Sequence, residues 1–244
     1  MLDDFSKIEL WLLGTFSFII RYFLIAGVLF YIFYMWKKKE MLKFKIQQST
    51  PKFNQIKKEI LYSISTFLIY GVGIFLFLFW IDNGYTKQYK SIDEFGVLYF
   101  VFSILIMIVT HDAYFYWTHR LMHYSKLFQY AHKTHHLFNS PTPWASFAFH
   151  PLEAIISIGI IPIIIFVIPF HHWALVIFVT FLMVYNTFIH LGYFTTNLKF
   201  FRFQNTSKDH DLHHNGLKGN YGLYFTVWDR LMGTYKHNIP ISKN

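Results

Sequence analysis

Residues 97–136 read VLYFVFSILIMIVTHDAYFYWTHRLMHYSKLFQYAHKTHH. An apolar run of the roughly 20 residues that a membrane helix needs passes directly into two histidine clusters, His119 with His123 and His132 with His135 and His136. A third cluster, again of the form HxxHH, follows at His210, His213 and His214. Residues three and four apart share a helix face, so His119 and His123 can point at one metal ion, and His132 can do so with His135 or His136. Adjacent His135 and His136 diverge by about 100° on a helix. Such a pair can serve two ions, or one ion from different sides, and its repetition at His213 and His214 favours a dinuclear centre. A lone histidine at a membrane interface is ordinarily just amphipathic; three patterned clusters are more than packing needs.

Working outward, the composition fits a membrane setting. The 244 residues are 54% hydrophobic, 22% aromatic and only 14% charged, too little polar surface for an ordinary soluble domain. Apolar segments at 11–36, 60–81, 97–117, 152–170 and 173–189 are expected to give four to five transmembrane or re-entrant helices, the last two as a short hairpin. The first segment is too long for a cleaved signal peptide. With no cysteine in the chain, histidine and carboxylate must hold any metal. Much of the net charge of +9 crowds the loop from Lys37 through Lys58. That is a topology signal placing this loop in the cytoplasm, rather than a nucleic-acid footprint.

From that loop, the second segment runs outward to residues 82–95 and the third returns to the first histidine cluster. The hairpin tip at 169–173 then lies on the far side, and its mouths, His150 and His190, return to the cytoplasmic face with every cluster histidine. Residues 124–149 read as a cytoplasmic helix followed by a loop, and 191–244 as a cap of short helices. The expected architecture is an all-α integral membrane domain, residues 1–244, with N-terminal transmembrane helices (1–96) and a catalytic region (97–237) whose cytoplasmic helical cap holds the histidines. No repeat marks a second domain.

The ordered set HRLMH (119–123), HKTHH (132–136), HPLE (150–153), NTFIHLG (186–192), HDLHH (210–214), NYG (220–222) and WDRLMGT (228–234) resembles the fatty acid hydroxylase/sterol desaturase superfamily over roughly residues 112–235. The resemblance implies a membrane di-iron oxygenase with an all-histidine ligand set. Family ligands carry over to His119, His123, His132, His135, His136, His210, His213 and His214. His190 is added as the intermediate ligand that precedes a glycine after the hairpin. Some members carry a further histidine one turn earlier; Asn186 stands there, so the second metal has one nitrogen fewer or a water fills the position. His150 and Glu153 are candidates for the substrate side or for supporting a ligand. Asp112, Asp209, Asp211 and Asp229 are candidates for holding a ligand imidazole in one tautomer. His111 reads as a polar interior residue, His171 and His172 lie on the wrong side, and His237 falls in the tail.

Nitrogen ligands suit iron, zinc and copper alike, so iron, two per chain, comes from the resemblance. It implies that O2 and two external electrons remove hydrogen from an unactivated C–H bond of a lipid such as a sterol or fatty acyl chain. Hydroxylation stands slightly ahead of desaturation. The chain contains no dinucleotide fingerprint, so electrons are expected from a partner of the ferredoxin or cytochrome b5 type docking on the basic surface. The lipid is expected to enter sideways past Trp144, Phe147, Phe149, Phe188 and Tyr193, although with 30 phenylalanines aromatic lining is background. A metal transporter would need ionisable groups along the spans, which are nearly empty apart from Arg21. A zinc hydrolase would need an acid or base beside an open metal position, for which Glu153 is available. The C-terminus has no retention signal and no appended domain is seen, so a bacterial cytoplasmic membrane is expected rather than an endoplasmic reticulum.

Overall fold

The structure is a computed structural model that describes residues 5–47, 49–194 and 200–236. Among the described residues four helices are long and apolar enough to cross a bilayer: α1, Lys7–Phe30, which continues as a wider turn through Tyr31–Trp36; α3, Phe53–Asp82; α4, Gly96–Met122; and α8, His172–Ile189. The short α2, Lys38–Met41, lies in the basic loop between the first two. In each long helix only 17–33% of the most apolar window is buried by protein, which leaves apolar surface on each helix to meet acyl chains. The protein is a multi-pass integral membrane protein.

α1 begins at a capping box, in which Ser6 accepts from Glu9 N and the Glu9 carboxylate accepts from Ser6 N at 2.7 Å. It packs antiparallel on α3, from a Lys7–Asp82 ion pair at one end to Phe18 and Tyr22 against Phe67 near the middle of both helices. α3 extends seven residues before the apolar run read from the sequence, because Phe53 to Glu59 continue the helix beyond the bilayer into the loops. Segment 152–170 is two short helices, α6 (Pro151–Ile158) and α7 (Ile160–Val167), parted at Gly159. Pro151 opens the first, where its missing N–H costs nothing, and Pro162 falls in the first turn of the second. Ile168 turns extended ahead of Pro169, which ends α7.

The hairpin tip is pinned to the α3–α4 connection. Gln88–Tyr89 (β1) pairs in parallel with Phe170–His171 (β2), and the Tyr99 hydroxyl donates to Pro169 O at 3.0 Å. Both turns therefore lie at the end opposite the cluster histidines. The basic loop lies at the histidine end, where Ile46 N donates to Gly192 O at 3.1 Å and Gln47 Nε2 to Pro141 O at 2.8 Å. Gly192 has φ +73°, and a Cβ there would press on the Gln47 amide at 2.7 Å, so this contact needs glycine.

One aromatic core, Phe18, Tyr22, Phe67, Tyr70, Phe147 and Phe149, lies beneath the histidine end. A second, including Phe77, Met107, Ile164 and Phe178, fills the space toward the hairpin tip. The cap contributes α5 (Ser125–Ala131), α9 (Ser207–Gly216) and α10 (Val227–Leu231).

Candidate metal centre

Among the described residues nine histidines converge in two groups. His119, His123, His132, His136 and His213 form the first, and His135, His190, His210 and His214 the second; within each group the potential ligand nitrogens all lie within 4.8 Å of one another. Only His123 is half-buried; the others are buried.

Local structure explains the division. On α9, His210 and His214 are one turn apart and share the second group, while His213 faces the first. Thr206 and Asp209 close a capping box at the start of α9, which fixes the helix on which all three ride. The expectation of one α-helix through His132–His136 is corrected. His132 ends α5, and His135–Leu137 is a tight 3-10 turn. The outcome is the same in kind, because the turn sends His136 to the first group with His132 and sends His135 to the second. His123 ends α4 and His190 ends α8, so both long helices deliver an imidazole at their C-terminal boundary.

The hydrogen bonds fix tautomers. His119 Nδ1 donates to Tyr221 O at 2.9 Å, His213 Nδ1 to Gly219 O at 2.8 Å and His190 Nδ1 to Asn186 O at 2.7 Å. A carbonyl can only accept, so each of these rings presents an Nε2 lone pair to its group. The Glu153 carboxylate accepts from His132 Nδ1 at 2.7 Å, which turns the His132 lone pair inward as well. His119 Nε2 and His132 Nε2 then face each other at 2.9 Å, and His190 Nε2 lies 3.0 Å from His210 Nε2 and 3.2 Å from His135 Nε2. Two lone pairs so close repel unless a cation lies between them. Nitrogens that share an ion at about 2.0–2.1 Å and right angles are themselves about 3 Å apart. The donor set thus fits two metal ions, with five nitrogens for one and four for the other.

Burial, reinforced for most rings by repulsion between imidazoles, holds the cluster histidines neutral. His132, His135, His136, His210 and His214 lie well below the ordinary value, and burial brings His190 and His213 down to about 4 from 6.5. Below pH 6.5 the unfolded chain binds protons that the folded site refuses, so folded-state stability falls as the pH drops through the window from 6.5 to about 4. Metal needs the same neutral rings. Dialysed protein is therefore expected to hold its metal at about pH 6 and to lose it as the pH approaches and passes about 4, where His190 and His213 take up protons; metal already lost at about pH 6, or full occupancy well below about pH 4, would contradict the ligand assignment.

The other expected site residues are placed as follows. Asn186 accepts from His190 through its carbonyl while its side-chain amide donates to Ser146 O. His150 joins neither group; its Nδ1 caps α6 by accepting from Leu152 N at 3.2 Å. Among the described residues none of the four aspartates hydrogen-bonds a cluster imidazole, which corrects that expectation. Asp112 accepts from Tyr224 N and Phe225 N, tying the cap to α4. Asp229 accepts from Tyr221 N, Gly222 N and the Thr234 hydroxyl, holding the peptide whose carbonyl receives His119. Asp209 belongs to the α9 capping box, and Asp211 accepts from Asn215 Nδ2 at 3.1 Å. His111 is buried against the Tyr224 hydroxyl, and His171 caps α8 at the far end. His237 lies outside the described residues.

Sequence reasoning missed the carbonyls of Gly219 and Tyr221, since a backbone acceptor leaves no side-chain signal. The nearest available sign was the NYG run beside Gly219, whose φ of +94° disfavours a side chain and where an added Cβ would run into the Thr234 carbonyl oxygen. Also missed was Glu59, buried on α3, which accepts from Gln55 Nε2 and the Thr142 hydroxyl and fixes the loop above the site.

Two spaces flank the histidines. A small inner cavity on the membrane side touches His119 and His132 of one group and His135, His190 and His210 of the other, with Phe115, Met122, Phe149 and Ile156 in its wall. On the opposite side, an open pocket of about 560 Å³ lies over His123, lined by Lys218, Lys236 and Tyr221. Of the five aromatics expected at the lipid entrance, Phe149 lines the inner cavity and Phe147 a groove beneath it. Trp144 packs on Tyr22 and Phe30, Phe188 on Tyr185, and Tyr193 on Tyr34.

Comparison with known proteins gives a family model, Fatty acid hydroxylase, that matches residues 104–234. Lathosterol oxidase of Rattus norvegicus is 33% identical over 224 residues, which cover 89% of this chain and 71% of the relative. A Delta(7)-sterol 5(6)-desaturase of Gibberella zeae is 33% identical over 193 residues, 78% of this chain and 59% of that protein. Lathosterol oxidase of Homo sapiens is 33% identical over 192 residues, 77% of this chain and 64% of the relative. No solved structure shows a significant match.

Proposed function

The chain belongs to the fatty acid hydroxylase family, and from that premise we propose that it is a di-iron sterol desaturase of the membrane. It is an oxidoreductase acting on a lipid; the sterol, the iron pair and the reaction outcome are the proposed refinements. The observation that carries the iron pair is the convergence of nine imidazoles in two groups, both of which border one inner cavity. The names of the relatives favour removal of two hydrogens from a sterol over hydroxylation.

In this reading His119, His123, His132, His136 and His213 hold one iron, and His135, His190, His210 and His214 the other. Iron so held would let O2, supplied with two electrons, abstract hydrogen from an unactivated C–H bond. The protein's own part is to orient and exclude. The carbonyls of Tyr221, Gly219 and Asn186 and the carboxylate of Glu153 lock four rings with their lone pairs inward. Phe115, Met122, Phe149 and Ile156 keep water from the inner cavity and pack hydrocarbon there.

Electrons would arrive from the other face. The pocket over half-buried His123 carries Lys218 and Lys236, which suits an acidic one-electron carrier of the ferredoxin or cytochrome b5 type. Lys218→Glu/Lys236→Glu is expected to slow turnover with such a carrier about tenfold at low salt, with little change when a small chemical reductant replaces it. An equal loss with both reductants would remove this docking site. The concentration of lysines beside the histidine end favours the cytoplasmic face for the whole centre.

The reading is tested with iron-replete protein in lipid nanodiscs, supplied with O2, a reductant, and in turn a sterol and a fatty acyl lipid. A new ring double bond in the sterol supports it. Oxidation of the acyl lipid alone would replace the substrate, and a hydroxylated sterol as end product would replace the outcome.

A further inference from the structure

Behind the five-histidine group, the cap closes on one short stretch of backbone. Residues 219–222 run past His119 and His213, and the carbonyls of Tyr221 and Gly219 accept from their Nδ1 atoms at 2.9 and 2.8 Å. Asp229, buried on α10, holds the other side of that stretch. Its Oδ1 accepts from Tyr221 N at 2.9 Å and from the Thr234 hydroxyl at 2.7 Å, and its Oδ2 accepts from Gly222 N at 2.8 Å. The Gly222 contact matters most. Gly222 N–H and Tyr221 C=O belong to one peptide unit, so Asp229 grips the N–H end of the same group whose C=O end receives His119.

An acceptor on the N–H of a peptide polarises it and makes its carbonyl the stronger acceptor. A stronger acceptor at Nδ1 in turn makes an imidazole the better donor of its Nε2 lone pair. The clamp is also braced against the helix that carries His119. Trp228 stacks on Tyr116 of α4 with ring centroids 6.0 Å apart, and the Thr234 and Tyr116 hydroxyls are 3.0 Å apart. At Gly222 an added Cβ would meet the Phe225 carbonyl oxygen and the Asp229 carboxylate, so the missing side chain lets the carboxylate close on the peptide.

We propose that Asp229 is a positioning residue for the first metal group: through the Tyr221–Gly222 peptide it fixes and activates His119, as Glu153 does for His132 by direct contact. This rests on the reading of the two histidine groups as metal sites. The second group is held by other means, His190 giving its Nδ1 proton to Asn186 O on α8 while His210 and His214 ride on α9. Loss of Asp229 should therefore fall on one ion. Asparagine is the diagnostic replacement. It has nearly the same shape, but one of its two terminal atoms is an NH2 that would face a peptide N–H, so it can hold Tyr221 N or Gly222 N and not both.

The test measures Fe(II) affinity by anaerobic chelator competition on the full-length protein in nanodiscs, one ion at a time. His214→Ala is expected to keep only the first-group ion and His213→Ala only the second-group ion, so Asp229→Asn is placed in each. In His214→Ala it is expected to weaken the remaining ion by about tenfold or more, and in His213→Ala to leave it within about twofold. Asp112→Ala is the structural comparison. Asp112 Oδ1 also accepts two peptide N–H groups of the cap, Tyr224 N and Phe225 N, but the carbonyls of those peptides receive Asn205 and Tyr185 instead of a histidine. This variant is expected to lower the melting temperature at least as much as Asp229→Asn does, with the affinity of both ions unchanged. Should Asp229→Asn fail to fold, Asp229→Glu is read in its place with the same selective loss expected, because it keeps two acceptor oxygens but must displace the peptide to fit an extra methylene. Equal weakening of both ions, no weakening of the first, or equal weakening by Asp112→Ala would overturn the proposal. If the wild type takes up fewer than two ions, or His213→Ala and His214→Ala release the same ion, the reading of the histidine groups fails and the proposal with it.

Discussion

His213→Ala should remove the ion held by the first group, and His214→Ala the ion held by the second, although the two residues are neighbours on one helix. His213 Nε2 lies 3.1 Å from His136 Nε2, whereas His214 Nε2 lies 3.1 Å from His210 Nε2. Each variant is expected to fall from about two irons per chain to about one, and to lose lipid oxidation to background, because the reaction needs both. The helix should survive, since its capping box at Thr206 and Asp209 is untouched. Metal analysis and circular dichroism on both variants check this. If His213→Ala and His214→Ala released the same ion, with the other fully retained in both, the division into two groups would be wrong.

Glu153→Gln should have the next largest effect. Glu153 is buried, and one of its oxygens accepts from His132 Nδ1 while the other has no partner among the described residues. Glutamine keeps the shape and a carbonyl acceptor but cannot supply the negative charge that a carboxylate beside bound cations would carry to raise the basicity of His132. Losing such a partner typically costs about 10–100-fold in metal affinity or activity. Chelator competition and kcat are the readouts. Wild-type behaviour in both would reduce Glu153 to a polar space-filler.

The membrane helices and the histidine pairing were legible because each depends on periodicity and hydropathy alone. The split of adjacent histidines follows from their angular divergence, and the structure shows it at both His135–His136 and His213–His214. Its basis was misread at the first pair, where the backbone is a tight turn, since three- and four-residue spacing brings side chains together in more than one local geometry. Where α3 starts was not legible, because polar residues can prolong a helix past the bilayer without an apolar mark. The aspartates were misassigned for a deeper reason. A carboxylate near a ligand in sequence can accept from any N–H brought close by folding, and Asp112 and Asp229 meet peptide groups of residues 221–225. His190, separated from the other clusters by a membrane helix, came from family resemblance alone, as spacing says nothing about contacts made through the third dimension.

The most direct test of the whole account is Mössbauer spectroscopy with metal analysis on wild-type protein grown on iron-57 and purified without oxygen. The account predicts about two irons per chain, magnetically coupled in the oxidised protein, in an all-nitrogen and oxygen environment. Zinc alone after iron-replete growth, or a single uncoupled iron, would contradict it.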